Sequence, residues 1–431
     1  MQLESAESLI EMLRSSGLYE AEPFAKLEAE LRAAGSDPQG LIRHLIDRGR
    51  ITAYQLRRVV NGRASELFIG PYVVLDKLGE GGMGRVYRAR HVRQDRQIAL
   101  KVVREQILSK PTARGRYERE VQAALALKHP NIVAVSSAGS TDGQYYLEME
   151  FVDGLDLTRI VQKFGPLQVA ESCEYARQAA LGLHHAHEQG FVHRDIKPSN
   201  ILVSGERHRP GATEPAFVKI LDMGLVRSIL DDDLEVGLTR DGTVVGTPDY
   251  MAPEQAKNSR IVDRRADLYS LGATIYFMLT AKPPFPDGTA LDKIIRHVDQ
   301  APPLLSSLRD DVPEDLVRIV DRLMAKSPAQ RFATAADLAE VLEPLAKLGR
   351  KLAPKPVVPA SDATPETLIA EATIDVPATA STSSAFHFVE RERPIPAPPV
   401  SRAWLVIGLT FVSAIGIGLL ILVLLVAFNR R

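Results

Sequence analysis

The chain has 431 residues, of which 45% are hydrophobic and 25% charged, and its formal net charge is −1 at pH 7. Such a length favours two or three domains with a sizeable core, and a near-neutral balance argues against nucleic acid as a partner. The single cysteine, Cys173, excludes an intramolecular disulfide and any cysteine-based zinc site. It reads as a small core residue of a helix in a reducing compartment.

Met1 to Ile10 has no positive region followed by an apolar run, so no cleavable signal peptide is expected. From Ser5 to about Arg63 apolar residues recur at helical spacing, as in Leu9, Ile10 and Leu13, then Phe24, Leu27 and Leu31, then Leu41, Ile42 and Leu45. Asp37-Pro38 places a capping acid before a proline suited to a first helical turn, and Thr52-Ala53-Tyr54-Gln55 reads as a capping box. Residues 1–65 are therefore predicted to be a module of three or four helices. At Tyr72 the period changes. Tyr72-Val73-Val74-Leu75, Arg85-Val86-Tyr87-Arg88-Ala89 and Ile98-Ala99-Leu100-Lys101-Val102-Val103 are short strand-like runs broken by glycines. Helical patterning dominates from about Leu155 to Leu345, so 72–345 reads as one α+β domain. Residues 350–402 turn to Pro, Ala, Ser and Thr, the composition of a linker unable to fold alone. Trp404 to Phe428 then carries no charged residue, which predicts a membrane-spanning helix over 404–428.

Gly79-Glu80-Gly81-Gly82-Met83-Gly84-Arg85-Val86 lies between two predicted strands. Glycines there let a backbone close over phosphates and donate its amides to them. A dinucleotide-binding turn shares these glycines but needs a helix straight after, and Val86-Tyr87-Arg88 reads as strand. Lys101, on the following strand, supplies a cation for phosphate charge. Its natural partner is Glu120 on the next predicted helix, with Glu118 as rival. His193-Arg194-Asp195-Ile196-Lys197-Pro198-Ser199-Asn200 puts on one loop an acceptor for a hydroxyl proton (Asp195), a cation (Lys197) and a metal ligand (Asn200). Asp222-Met223-Gly224 offers a second, carboxylate ligand, and oxygens of this kind suit Mg²⁺.

In this order, with His129-Pro130-Asn131-Ile132-Val133, Gly246-Thr247-Pro248-Asp249-Tyr250-Met251-Ala252-Pro253-Glu254, Asp267-Leu268-Tyr269-Ser270-Leu271-Gly272 and Arg331, the stretch from Tyr72 to Leu345 resembles the eukaryotic-type (Hanks-type) protein serine/threonine kinases, most of all the bacterial membrane-bound ones. The resemblance implies a two-lobed fold, with a β-rich N-lobe and a helical C-lobe, and ATP and Mg²⁺ (or Mn²⁺) in the cleft between them. It implies an ATP site made of Leu78, Gly79, Glu80, Gly81, Gly82, Met83, Gly84, Arg85, Val86, Ala99 and Lys101 in the N-lobe. Met149 would guard the back of the adenine pocket, Glu150 and Val152 would supply hinge hydrogen bonds, and Leu202 would complete the sandwich of the base. It further implies that Asp195, Lys197, Lys101 and Glu120 are catalytic, that Asn200 and Asp222 hold the metal, and that Asp267 and a Glu254–Arg331 ion pair brace the helical lobe. Protein substrates with Ser or Thr are the implied partners, and no nucleic acid.

Two departures stand out: Met223 replaces the usual Phe, and Ser204 to Ala216 is a longer, more polar connection that reads as a surface insertion. Thr239 and Thr243 are the candidate autophosphorylation sites, because Arg194 beside Asp195 can pair with a phosphate. Leu183-His184-His185-Ala186-His187 reads as helix rather than metal site, since no carboxylate or cysteine arrangement completes it. A pseudokinase scaffold is the alternative, but it would normally lack the Lys, Asp or Asn that this chain retains. Arg391, Arg393 and Arg402 precede the apolar run while Arg430 and Arg431 follow it, a modest bias towards a single pass with a cytoplasmic kinase domain. With only Asn429-Arg430-Arg431 after the span, insertion late in synthesis is expected. Thr410, Ala414 and Gly418 form a small-residue stripe that permits close helix approach and self-association in the bilayer.

Overall fold

The structure, a computed structural model, describes residues 5–35, 37–82, 84–108, 111–204, 216–222, 248–257 and 262–348. The expectations placed on Met83, Met223, Thr239, Thr243, Gly246-Thr247, the 205–215 connection, the linker and the apolar run at 404–428 lie outside the described residues. Among the described residues no helix is long and apolar enough to cross a membrane.

Four helices open the chain: α1 (Ala6–Ser15), α2 (Ala21–Ala34), α3 (Pro38–Asp47) and α4 (Ala53–Val60). Their starts follow the local chemistry. Asp37 accepts from the amides of Gln39 and Gly40, with Pro38 in the first turn where its missing N–H costs nothing. The Thr52 hydroxyl accepts from Gln55 N while the Gln55 side chain accepts from Thr52 N, a complete capping box.

A six-stranded antiparallel sheet follows, in the order β1-β2-β3-β4-β6-β5. Its strands are β1 (Phe68–Ile69), β2 (Tyr72–Gly81), β3 (Gly84–His91), β4 (Arg96–Val103), β5 (Val135–Thr141) and β6 (Gln144–Glu150). Helix α5 (Pro111–Ala126) is inserted between β4 and β5. Side chains alternate across a strand, and β4 shows what each face meets. Ile98 and Leu100 join the core built by the N-terminal helices, whereas Ala99 and Val103 join the core under α5. Because both faces are covered, β4 reads as a continuous apolar run rather than an alternating one.

The predicted helical module is present, but its apolar interior is not separate. Leu9, Leu13, Leu31, Leu45, Leu56 and Val59 belong to one cluster with Tyr72, Val74, Tyr87, Ala89, Ile98 and Leu100 of the sheet. The module is thus the second layer of the N-lobe, packed on the face opposite α5.

The C-lobe is helical around α7 (Val169–Glu188) and the helix Arg265–Thr280, flanked by α6 (Leu157–Phe164) and the helices Ala290–Asp299, Glu314–Leu323 and Ala335–Leu348. Every residue from Ala266 to Leu279 is buried, so this helix is the axis of the lobe. A Cβ at Gly272 would lie 2.6 Å from Leu323 Cβ, which explains a glycine inside so apolar a helix. A small sheet of β7 (Gly154–Asp156), β8 (Ile201–Ser204) and β9 (Phe217–Ile220) lies on this lobe and carries the catalytic and Asp222 loops at its ends.

Candidate active site

The glycine-rich turn joins β2 to β3, with Gly81 paired to Gly84 across it. A Cβ added at Gly84 would sit 2.0 Å from the Val102 carbonyl oxygen, so that glycine is demanded by the fold itself. At Gly79, Gly81 and Gly82 an added Cβ would meet nothing within 4 Å. Packing does not require those three. Open backbone of this kind suits close approach of a phosphate. Glu80 is the hub of local charge, bonded to Lys77 at 2.5 Å, Arg104 at 3.2 Å and Arg85 at 3.4 Å.

Lys101 lies in β4 with the same parity as Ala99 and is only 4% exposed. A buried ammonium needs a counter-charge. Lys101 Nζ is ion-paired with Asp222 Oδ1 at 2.7 Å. Asp222 reaches it because its backbone adopts φ 50°, in the left-handed region, turning the carboxylate towards β4. Of the two acids weighed on α5, Glu118 is exposed and Glu120 half-buried, so Glu120 is the one beside the packed face of Tyr117, Val121 and Ala124. Partial withdrawal from water works against ionisation of Asp222, yet the Lys101 ammonium holds its carboxyl below the usual range.

The catalytic loop runs between α7 and β8. Asp195 Oδ2 is 2.8 Å from Lys197 Nζ and 3.1 Å from Asn200 Nδ2, and Asn200 Nδ2 also donates to the Asp195 carbonyl at 2.8 Å. Leu221 N donates to the Asn200 carbonyl at 2.9 Å, which brings the loop's two oxygen donors, Asn200 and Asp222, onto adjoining segments. His193 is fully buried, its Nε2 bonded to the Leu221 carbonyl at 2.7 Å, and so ties the same two segments from below.

Asp267 anchors this loop. It accepts from His193 N at 2.8 Å and Arg194 N at 2.7 Å, and His187 Nε2 lies 2.8 Å away, all in the interior. Burial raises its carboxyl pKa, but the bond to His187 and the loop amides bring it below the usual range. His187 thereby has a structural role. Arg331, 3% exposed, gives Glu254 two bonds of 2.6 and 2.8 Å and a third to the Arg265 carbonyl. That bidentate geometry locks the helix Pro253–Lys257 to the lobe.

The adenine-pocket expectations fall on the lobe junction. Met149, Glu150 and Val152 lie at the end of β6 and just beyond, Ala99 and Val86 on β4 and β3, and Leu202 on β8. Met149 lines a small cavity with Leu127, Ile132, Val133 and Asp222. Leu78, Glu80 and Arg85 flank the turn on β2 and β3. Three contributors escaped the sequence reading. Lys219 pairs with Glu150 at 2.6 Å at the hinge. Lys293 pairs with Asp249 at 2.7 Å, and His297 Nε2 bonds the Asp249 carbonyl at 2.9 Å, in the short helix Pro248–Tyr250. These pairs join residues distant in sequence, and only the fold brings them together.

Comparison with known proteins agrees with this geometry. The protein kinase domain family matches residues 72–342. The chain is 37% identical over 284 residues to serine/threonine-protein kinase pkn3 of Myxococcus xanthus, covering 65% of this chain and 51% of that one. It is 38% identical to PknD of Mycobacterium tuberculosis, covering 63% of this chain and 39% of that protein. The chain thus spans about half the length, or less, of these curated relatives. The crystal structure of the Mycobacterium tuberculosis PknI kinase domain superposes with a TM-score of 0.50 at 27% identity, over 65% of this chain and 98% of that one. On its motifs, its fold and these matches, the chain belongs to the protein kinase family.

Proposed function

We propose that this chain is a protein serine/threonine kinase, anchored to a membrane, that transfers the γ-phosphoryl group of Mg-ATP to serine and threonine hydroxyls of proteins. The observation that carries the reading is the Asp195 carboxylate held by Lys197 and Asn200, beside the segment that carries Asp222 and its partner Lys101. The residues fit the nucleotide and cation. With Nδ2 spent on Asp195, the Oδ1 of Asn200 is the end able to take a cation, and with Asp222 it forms a hard oxygen set. Mn²⁺ would suit the same oxygens. When bound, Mg²⁺ neutralises charge on the transferring group.

The chain's own groups do the rest. Lys101 steadies the α- and β-phosphates, and we assign Glu120 of α5 as its partner. The glycine-rich turn, with no side chain at Gly79, Gly81 or Gly82, lets its backbone approach the phosphoryl oxygens, and Asp195 orients the substrate hydroxyl and accepts its proton. Lys197 stabilises charge developing on the phosphoryl oxygens, and positioning of this kind supplies most of the rate. Lys197 two residues after Asp195 favours the serine/threonine branch. Pro248 to Glu254, locked by Arg331 and Lys293, presents a protein substrate. The scaffold alternative is not favoured, because Lys101, Asp195, Asn200 and Asp222 are all in place.

Membrane anchoring rests on the charge-free run from Trp404 to Phe428. The arginines before it support a cytoplasmic kinase domain, and the Thr410, Ala414, Gly418 stripe supports self-association that would allow phosphorylation in trans. Autophosphorylation at Thr239 or Thr243 belongs to the same reading. Purified chain with Mg-ATP and a basic protein substrate should give phosphoserine or phosphothreonine, and Lys101→Met should abolish it. A chain ending at Ser401 should leave the membrane fraction while remaining active. Mass spectrometry finding neither Thr239 nor Thr243 phosphorylated in active protein would remove the autophosphorylation claim.

A further inference from the structure

The strand that delivers the glycine-rich turn is tied to the N-terminal helices by two side chains. β2 pairs with β3 along its whole length, but on its other edge β1 covers only Tyr72 and Val73. From Val74 onward that edge has no strand partner among the described residues. The ladder with β3 also breaks there: Val74 faces Ala89 and Asp76 faces Arg88, which leaves Leu75 as the extra residue of a bulge. A second break follows between Lys77 and Gly79. A twice-bulged edge strand does not set its own course.

Helix α4 supplies what the ladder lacks. Gln55 Nε2 donates to the Val74 carbonyl at 2.8 Å, and Thr52 Oγ1 donates to the Leu75 carbonyl at 2.5 Å. Gln55 is 6% exposed and Val74 fully buried, so the first bond is shielded from water. These are the two residues of the α4 capping box, and each uses its other polar function for the cap: Thr52 Oγ1 accepts from Gln55 N, and Gln55 Oε1 accepts from Thr52 N. Just beyond, the interface opens into a cleft lined by Arg57, Asn61, Asp76 and Lys77, so the bonds to Val74 and Leu75 tie β2 to the module on the near side of the turn. Leu56 and Val59 seat α4 in the shared core, which makes it a fixed reference.

We propose that Thr52 and Gln55 are positioning residues for ATP: their bonds to the bulge at Val74 and Leu75 aim β2, and with it Gly79 to Gly82, over the nucleotide. The inference rests on the kinase reading given above. The helical module thereby has a role in phosphoryl transfer, setting the affinity of the cleft for ATP without touching it.

The dual use of each side chain provides the test. Thr52→Asp with Gln55→Glu keeps an acceptor at both capping positions, and acids suit a helix N-terminus. The same change removes both donors to β2. In the full-length chain, KM for ATP should rise about fivefold, the worth of about one net hydrogen bond, while kcat and KM for a protein substrate change less than about twofold. Amide exchange should quicken at residues 74–82 and stay slow in α4. Thr52→Ser, which keeps both functions of the hydroxyl, should retain wild-type KM, and Lys26→Ala at an exposed position of α2 should have no effect. If the double variant does not fold, Gln55→Glu alone is read in the same way. An unchanged KM for ATP together with unchanged exchange at 74–82 overturns the proposal. Absence of phosphoryl transfer by the unaltered chain would instead overturn the kinase reading, and the exchange result reports on the tie independently.

Discussion

The two lobes hold their halves of the site by different physics. In the N-lobe, four helices and a sheet share one apolar core, and the glycine-rich strand is placed by packing plus two hydrogen bonds at a bulge. In the C-lobe, the Asp195 loop hangs on a buried carboxylate, Asp267, and the helix Pro253–Lys257 on the buried Arg331–Glu254 pair. Apolar packing is non-directional and lets an element shift and repack. A buried charge with every partner satisfied permits one geometry, and breaking it leaves an uncompensated charge. The lobe that must clasp and release a nucleotide thus has the more adjustable support, while the lobe that carries the chemistry is rigidly wired.

The sharpest way to break this comparison is to cut the wiring. Asp267→Ala strands two buried amides and the His187 ring at once, and Arg331→Ala leaves Glu254 without its bidentate partner. Each should cost about 3–5 kcal/mol of stability, checked by denaturant titration. A loss below about 1 kcal/mol would show the network to be dispensable. Truncation in the helical module should come next. Leu45 and Leu13 are fully buried, so Leu→Ala at either should cost about 2–5 kcal/mol. Because the core is shared, exchange should quicken in β2 and β4 as well as in the module. Faster exchange confined to α1–α4 would mean that the module folds as an independent unit.

The acid response should differ between lobes too. Burial pushes the His297 imidazole down to about 4, despite its bond to the Asp249 carbonyl. A base with a lowered folded pKa gives stability that is full above its unfolded value of about 6.5 and is lost as pH falls towards 4. His297→Gln should flatten a C-lobe stability loss on the order of 2 kcal/mol across that window. In the N-lobe the buried carboxylate Glu148, bonded to Tyr72 and Arg96, is held below the usual carboxylate range, so the loss there should come at lower pH. The smallest effect should come from exposed pairs on the module: breaking Lys26–Glu22, where both side chains are about four-fifths exposed, should change stability by under about 0.5 kcal/mol.

Legibility in the sequence was greatest where the chemistry is local. Asp195 to Asn200 were readable because they share one loop, while Asp267 and the Glu254–Arg331 pair, 77 residues apart, were reachable only through the family resemblance. The helix starts at Asp37 and Thr52 were readable because capping is local chemistry. The merging of module and sheet was not, since nothing in the 3.6-residue period of α1–α4 says what their apolar face will meet. One signal was present: Ile98 to Leu100 is too continuously apolar for a sheet open on one side. The pairing of Asp222 with Lys101 was also beyond reach, because it depends on the left-handed backbone at Asp222. Lys293–Asp249 and Lys219–Glu150 join residues far apart in sequence and carry no local signature.

The central claim is that this wired loop performs phosphoryl transfer. Asp195→Asn tests it most directly, because the substitution keeps the size of the side chain and an acceptor towards Lys197 while removing the carboxylate that takes the hydroxyl proton. The measurement is the rate of phosphate transfer from Mg-ATP to a protein substrate, beside the thermal midpoint of both chains. The expected result is a fall in kcat of about 10²-fold or more with an unchanged midpoint. Undiminished transfer by a folded Asp195→Asn chain would contradict the account.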